Sequence, residues 1–160
     1  KKGIKAFTPV TGRMDIYRLN DFIHIIDDTY NANPASMTQA LNTLSNISKG
    51  KNSIAVIGDM LELGEKTHIF HRQIGQKAAM LGICKLYVFG SLVKHTIEGA
   101  VENGFSTENI FHGTKDQIIQ KLFKSVDSNT WILVKGSRGM AMETIIQELQ
   151  QLLNINMRGL

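Results

Sequence analysis

Within eight residues, Asp27-Asp28-Thr29-Tyr30-Asn31-Ala32-Asn33-Pro34, the chain sets two carboxylates, a phenol and two side-chain amides. These groups accept and donate hydrogen bonds, and they follow an apolar strand-like run and precede a helical pattern, a position that suits holding a polar ligand. An equally physical reading is a well-capped strand-to-helix turn, in which Asp28 and the asparagines satisfy backbone amides. Both readings stand on these residues alone. A second stretch, Lys135-Gly136-Ser137-Arg138-Gly139, offers two cations, a hydroxyl and glycine-exposed amides, which suits a phosphate or a carboxylate. A third, Gly58-Asp59-Met60-Leu61-Glu62-Leu63-Gly64, holds two more carboxylates between glycines.

Other chemistries find little support. No G-x-x-x-x-G-K-[ST] loop, G-x-G-x-x-G fingerprint or G-x-S-x-G elbow occurs anywhere in the chain. His24, His68, His71, His95 and His112 have no cysteine partners, and His68 with His71 is a weak pair, so no metal site is expected. These histidines are read as surface or helix-face residues, with His71 the one expected nearest the candidate site. Met60, Met140 and Met142 are expected to pack beneath the loops.

The elements that must position these groups follow from periodicity. Met14 to Leu19 and Phe22 to Ile26 are β-prone runs split by Asn20-Asp21, a two-residue hairpin turn. Asn33 then serves as N-cap and Pro34 as first residue of a helix with Met37, Ala40, Leu41, Leu44 and Ile47 on one face. Strands over 53–57, 85–89, 109–111 and 130–134 alternate with helices over 65–81, 92–103, 115–126 and from 141 to about 153. This alternation predicts an α/β fold: a Rossmann-like, doubly wound, mostly parallel sheet with helices on both faces and a short N-terminal β-hairpin. Asp27-Asp28, Gly58-Asp59, Gly90-Ser91, Gly113-Thr114 and Lys135-Gly136-Ser137 each follow a strand, so all are expected on one rim, lining one crevice. Glycines there are expected to let the backbone approach a ligand.

At 160 residues, 42% hydrophobic and 20% charged, the chain suits one soluble domain. A net charge of +4 with scattered basic residues does not indicate a nucleic-acid or acidic membrane surface. No apolar run approaches the roughly 20 residues of a membrane span, and no signal peptide opens the chain, which reads as cytoplasmic. The one cysteine, Cys84, is expected as a buried core thiol.

In their order and spacing, the three motifs resemble the C-terminal domain of the Mur ligases, ATP-dependent enzymes of peptidoglycan precursor synthesis. The resemblance spans roughly residues 12 to 150, and the Tyr30-Asn31-Ala32-Asn33-Pro34 core is its most specific part. It points to the branch that joins D-alanyl-D-alanine to UDP-N-acetylmuramoyl-tripeptide through an acyl phosphate. The resemblance implies that residues 1 to 13 are a lead-in from a central domain, 14 to 154 the C-terminal domain and 155 to 160 a tail. It also implies that the N-terminal and central domains, with the ATP phosphate loop and the Mg2+ ligands, lie elsewhere in a longer protein. The isolated chain is then expected to be inactive. Carried over by motif, Arg13, Asp28, Tyr30, Asn31 and Asn33 resemble the nucleotide-facing group. Lys135, Ser137 and Arg138 resemble the group facing the dipeptide, with Lys135 and Arg138 expected in the catalytic machinery. Asp59 and Glu62 match a motif without an assigned contact. Two alternatives stay open: a receiver-like phosphoacceptor domain, with Asp59 as acceptor, and a stand-alone nucleotide-binding module.

Overall fold

A computed structural model describes residues 12–19, 23–49, 52–127 and 129–157, with side chains as far as residue 154. Among the described residues six strands occur: β1 (Asp15–Arg18), β2 (Ile23–Asp28), β3 (Ser53–Gly58), β4 (Lys85–Phe89), β5 (Ile110–His112) and β6 (Thr130–Lys135). They form one sheet in the order β1-β2-β6-β3-β4-β5. Only β1 runs antiparallel to its neighbour, and all other pairings are parallel. The expected fold is therefore present. The β1–β2 pair is the predicted hairpin, and its turn at Asn20-Asp21, like most of the lead-in segment, lies outside the described residues.

Among the described residues five α-helices cover the sheet: α1 (Pro34–Ser48), α2 (Thr67–Met80), α3 (Lys94–Glu102), α4 (Lys115–Ser125) and α5 (Glu143–Met157). Strand side chains alternate between two cores, as a period of two dictates. Ile26, Ala55, Ile57, Leu86 and Val88 pack with Met37, Leu41, Leu44, Ile74, Ala78 and Ala100 of α1, α2 and α3. Ile25, Ile54, Val56, Ile132 and Val134 pack with Ile118, Leu122, Ile145 and Leu149 of α4 and α5. Helix α1 starts where its sequence requires: the Asn33 side chain accepts from the Ser36 amide at 2.8 Å, and the Ser36 hydroxyl accepts from the Asn33 amide at 3.1 Å. Pro34 follows at the first turn, where its missing N–H costs nothing.

Some boundaries differ from the sequence reading. Asp27, Asp28, Gly58 and Lys135 are strand residues rather than loop residues. The ladder runs on because β6 is paired on both sides, with Lys135 opposite Asp28 on one flank and Ile57 on the other. A 3-10 turn over Gly64–Lys66 precedes α2, and α5 continues past residue 154 to Met157. Cys84 is partly exposed, not buried, with its amide donating to the Ser53 hydroxyl at 3.1 Å.

Candidate functional site at the carboxyl rim

The rim at the carboxyl ends of the parallel strands holds two clefts on either side of the Asn31–Asn33 segment. They are walled by the segments following β2, β3 and β6, together with residues 13 and 14. Gly90-Ser91 and Gly113-Thr114 line neither. The expectation of five loops on one crevice therefore narrows to three. Insertion of β6 between β2 and β3 brings their ends together, while β4 and β5 lie further out.

The rim glycines serve packing more than ligand approach. A Cβ on Gly58 or on Gly136 would come within 2.8 Å of Met142, which fills the space under both loops. Met60 and Met142 are fully buried beneath the rim, as expected, and Met140 packs partly buried against the α4–α5 core. Gly90 has φ +125°, and a Cβ there would stand 2.4 Å from the Asp59 carboxylate.

The first cleft, of about 500 Å3, is lined by Arg13, Asp28, Tyr30, Asn31, Asn33 and Lys135 among others. Asp28 is 8% exposed at its floor. One of its oxygens accepts from the Met14 amide at 3.1 Å, and the other is 2.6 Å from the Lys135 ammonium. A carboxylate offers about four acceptor positions, so Asp28 keeps capacity for a ligand hydroxyl. Met14 itself adopts φ 55°, a left-handed conformation uncommon for a non-glycine residue. Beside it, the Gly12 carbonyl accepts from the Tyr30 amide at 2.8 Å. The Arg13 guanidinium lies 4.3 Å from the Tyr30 ring centroid, and that of Arg138 lies 5.8 Å from it. Tyr30, Asn31 and Asn33 are exposed, although the Asn33 oxygen is already engaged as the helix cap.

Lys135 occupies a different position from the one its motif suggested. It is 1% exposed, and its three N–H groups meet three acceptors: the Asp28 carboxylate, the Asn31 carbonyl at 2.7 Å and the Asp28 carbonyl at 3.4 Å. The ammonium thus fastens the 28–31 segment from below.

The second cleft, of about 320 Å3, lies on the far side of Asn31–Asn33 and is bounded by Leu61, Glu62, Leu63, Ser137 and Arg138. Ser137 is 4% exposed, and its hydroxyl accepts from the Leu61 amide at 2.8 Å while facing the Ala32 carbonyl at 3.4 Å. It ties the three loops together. Arg138 remains largely exposed, 3.6 Å from the Glu143 carboxylate, with its backbone amide donating to the Asn31 side chain at 3.4 Å. Glu62, exposed and at φ 63°, sets a negative charge on the same cleft as Arg138.

Asp59 and His71 support this architecture from within. The Asp59 carboxylate, 3% exposed, accepts from the amides of Ser91, Leu92 and Val93 at 2.9–3.0 Å, ahead of α3. A receiver-like acceptor must be reachable by a phosphodonor, and this carboxylate is not. His71 does approach the rim, but as a fully buried residue: its Nε2 accepts from the Met60 amide at 3.0 Å. Sequence carried a signal for it, because His71, Ile74 and Ala78 share the buried stripe of α2. Nothing local in the sequence marks Met14.

Behind the rim, Tyr17 faces Asp27 and Asp15. Burial, and then the two carboxylates, push its phenol up to about 12. No group of three or more His, Cys, Asp or Glu side chains among the described residues could hold a metal ion. No described helix is long and apolar enough to cross a membrane.

Comparison with known proteins agrees with this geometry. The family profile described as Mur ligase, glutamate ligase domain, matches residues 12–138. The UDP-N-acetylmuramoyl-tripeptide--D-alanyl-D-alanine ligase of Escherichia coli is 34% identical over 151 residues, covering 94% of this chain and 32% of that protein. The Bacillus subtilis enzyme of the same name is 30% identical over 149 residues, covering 92% and 32%. Crystal structures of MurF from Acinetobacter baumannii (TM-score 0.78, 26% identity, 91% of this chain and 32% of that one) and of MurF ligase from Thermotoga maritima with ADP (TM-score 0.76, 23% identity, 94% and 33%) share the fold. The chain spans about a third of the length of the curated relatives it matches. Matched over most of its length, and carrying the three motifs on the rim of the expected sheet, the chain belongs to the Mur ligase family and corresponds to its C-terminal domain.

Proposed function

We propose that the chain serves a ligase that consumes ATP to join D-alanyl-D-alanine to UDP-N-acetylmuramoyl-tripeptide, and that its two clefts divide the binding. The observation carrying this reading is the Asn31–Asn33 partition, with one exposed arginine on each side: Arg13 at the first cleft and Arg138 at the second. The curated relatives that bear the name of that reaction are matched over about a third of their own length.

In the first cleft, Asp28 has acceptor capacity for ribose hydroxyls, Tyr30 and Asn31 offer polar edges for the nucleoside, and Arg13 supplies a cation for its phosphates. Asn33 shapes the wall while capping α1. In the second cleft, Arg138 suits the dipeptide carboxylate, and Glu62 faces the same space with the opposite charge, which fits a zwitterion. Ser137 and Lys135, both buried, act by holding the walls in place rather than by presenting free donors. On this reading the metal ligands and the phosphate loop lie in the rest of the longer protein.

The test is kinetic and uses the full-length protein. Arg13→Ala is expected to raise the KM for ATP and Arg138→Ala the KM for D-alanyl-D-alanine, each on the order of ten-fold, the worth of one charge-assisted contact. Equal effects of both variants on both substrates would overturn the division, and turnover by this chain alone would overturn the need for other domains.

A further inference from the structure

We infer that His71 is a positioning residue for the second cleft, setting the Leu61–Leu63 wall in register with Ser137 and Arg138; this rests on reading that cleft as the dipeptide site. Three consecutive backbone groups fix the start of the wall. The Asp59 carbonyl accepts from the Ser137 amide at 3.0 Å, the Met60 amide donates to His71 Nε2 at 3.0 Å, and the Leu61 amide donates to the Ser137 hydroxyl at 2.8 Å. Two of these ties come from one residue of the β6 loop. The middle one comes from α2, eleven residues along the chain.

The chemistry explains why a histidine stands there. Met60 is 1% exposed, so its amide needs a protein acceptor. At the opposite edge of the ring, Nδ1 lies 2.8 Å from the Thr67 carbonyl, which can only accept. Nδ1 therefore carries the proton and Nε2 is bare, so a single neutral ring serves as donor on one side and acceptor on the other. The imidazole holds the two functions at opposite edges of one rigid ring, spanning from the Thr67 carbonyl to the Met60 amide. Beyond Leu61 the wall turns back through two left-handed residues, Glu62 and Gly64, both at φ 63°. A shift at Met60 thus carries into the residues that face the ligand. Residues 59 to 63 do not line the first cleft, so the effect is confined to the second.

The experiment uses the full-length protein and compares His71→Leu, His71→Asn and His71→Gln. Leucine removes both functions. Asparagine keeps a donor for Thr67 but withdraws the acceptor from Met60, and it carries the test if the leucine variant does not fold. Glutamine can restore an acceptor near the Nε2 position. In the leucine and asparagine variants, hydrogen exchange at Met60 and Leu61 is expected to speed up on the order of ten-fold or more. The KM for D-alanyl-D-alanine is expected to rise by a similar factor with the KM for ATP unchanged, and glutamine should reverse both changes. Faster exchange with an unchanged dipeptide KM, or a parallel rise in both KM values, would overturn the inference. Arg138→Ala is measured alongside. If it raises the dipeptide KM while the His71 variants do not, this inference alone fails; if it too leaves that KM unchanged, the reading of the second cleft fails with it.

Discussion

Lys135 and Asp28 stand directly opposite each other on neighbouring parallel strands, ammonium to carboxylate at 2.6 Å, and the lysine is almost wholly buried. A buried ion pair adds little net stability over an apolar pair of the same shape, but leaving one partner alone is expensive. Here the pair also carries the Asn31 carbonyl and the Met14 amide, and so joins the floor of the first cleft to the segment leading into the domain.

Lys135→Met should therefore destabilise the chain by about 3–5 kcal/mol, because Asp28 is left charged and unpaired. Adding Asp28→Asn should recover a substantial part of that loss. Thermal and urea unfolding of the two variants measure the difference, and simple additivity of the two changes would mean that the pair is not coupled.

Asp59→Ala removes the acceptor of three amides ahead of α3. The expected cost is about 2–3 kcal/mol, that of hydrogen bonds to a charged group together with loss of a helix-start anion. The measurement is the shift in unfolding midpoint. In the unaltered chain, acetyl phosphate should leave Asp59 unlabelled, read by intact mass.

Gly90→Ala and Gly64→Ala separate backbone strain from steric conflict. Both glycines have positive φ, but the added methyl meets nothing within 4 Å at Gly64 and the Asp59 carboxylate at 2.4 Å at Gly90. Gly64→Ala should cost about 1–2 kcal/mol, the left-handed penalty alone. Gly90→Ala should cost clearly more, and only it should speed amide exchange at residues 91 to 93.

Tyr17 should ionise near pH 12, against the ordinary value of about 10 for an unfolded chain. With the folded value raised, the neutral phenol's contribution to stability is complete below about pH 10 and is lost as pH rises through 12. Asp27→Asn should bring the midpoint down without returning it to 10, since burial is the larger cause. Nuclear magnetic resonance of ring-labelled tyrosine reads the midpoint directly.

Much of the domain was legible in the sequence because its signals are local. The Asn33-Pro34 start of α1 needs only residues 33 to 36 for its capping box, and the apolar stripe of that helix repeats within its own turns. Alternating strands and helices implied parallel pairing, and the three motifs implied the family. What the sequence could not supply was which strand lies beside which. That β6, the last of the described strands, enters between β2 and β3 depends on packing of the whole sheet between two helical layers. This one placement makes Lys135 the buried partner of Asp28 at the first cleft, and gathers both clefts at the ends of three strands. It also sets Ser137 against Leu61 across a separation of 76 residues. Side-chain parity along a strand is a short-range property that a sequence displays. Neighbourhood across a sheet is a long-range one, decided only when the competing burials of all its strands and helices are satisfied together.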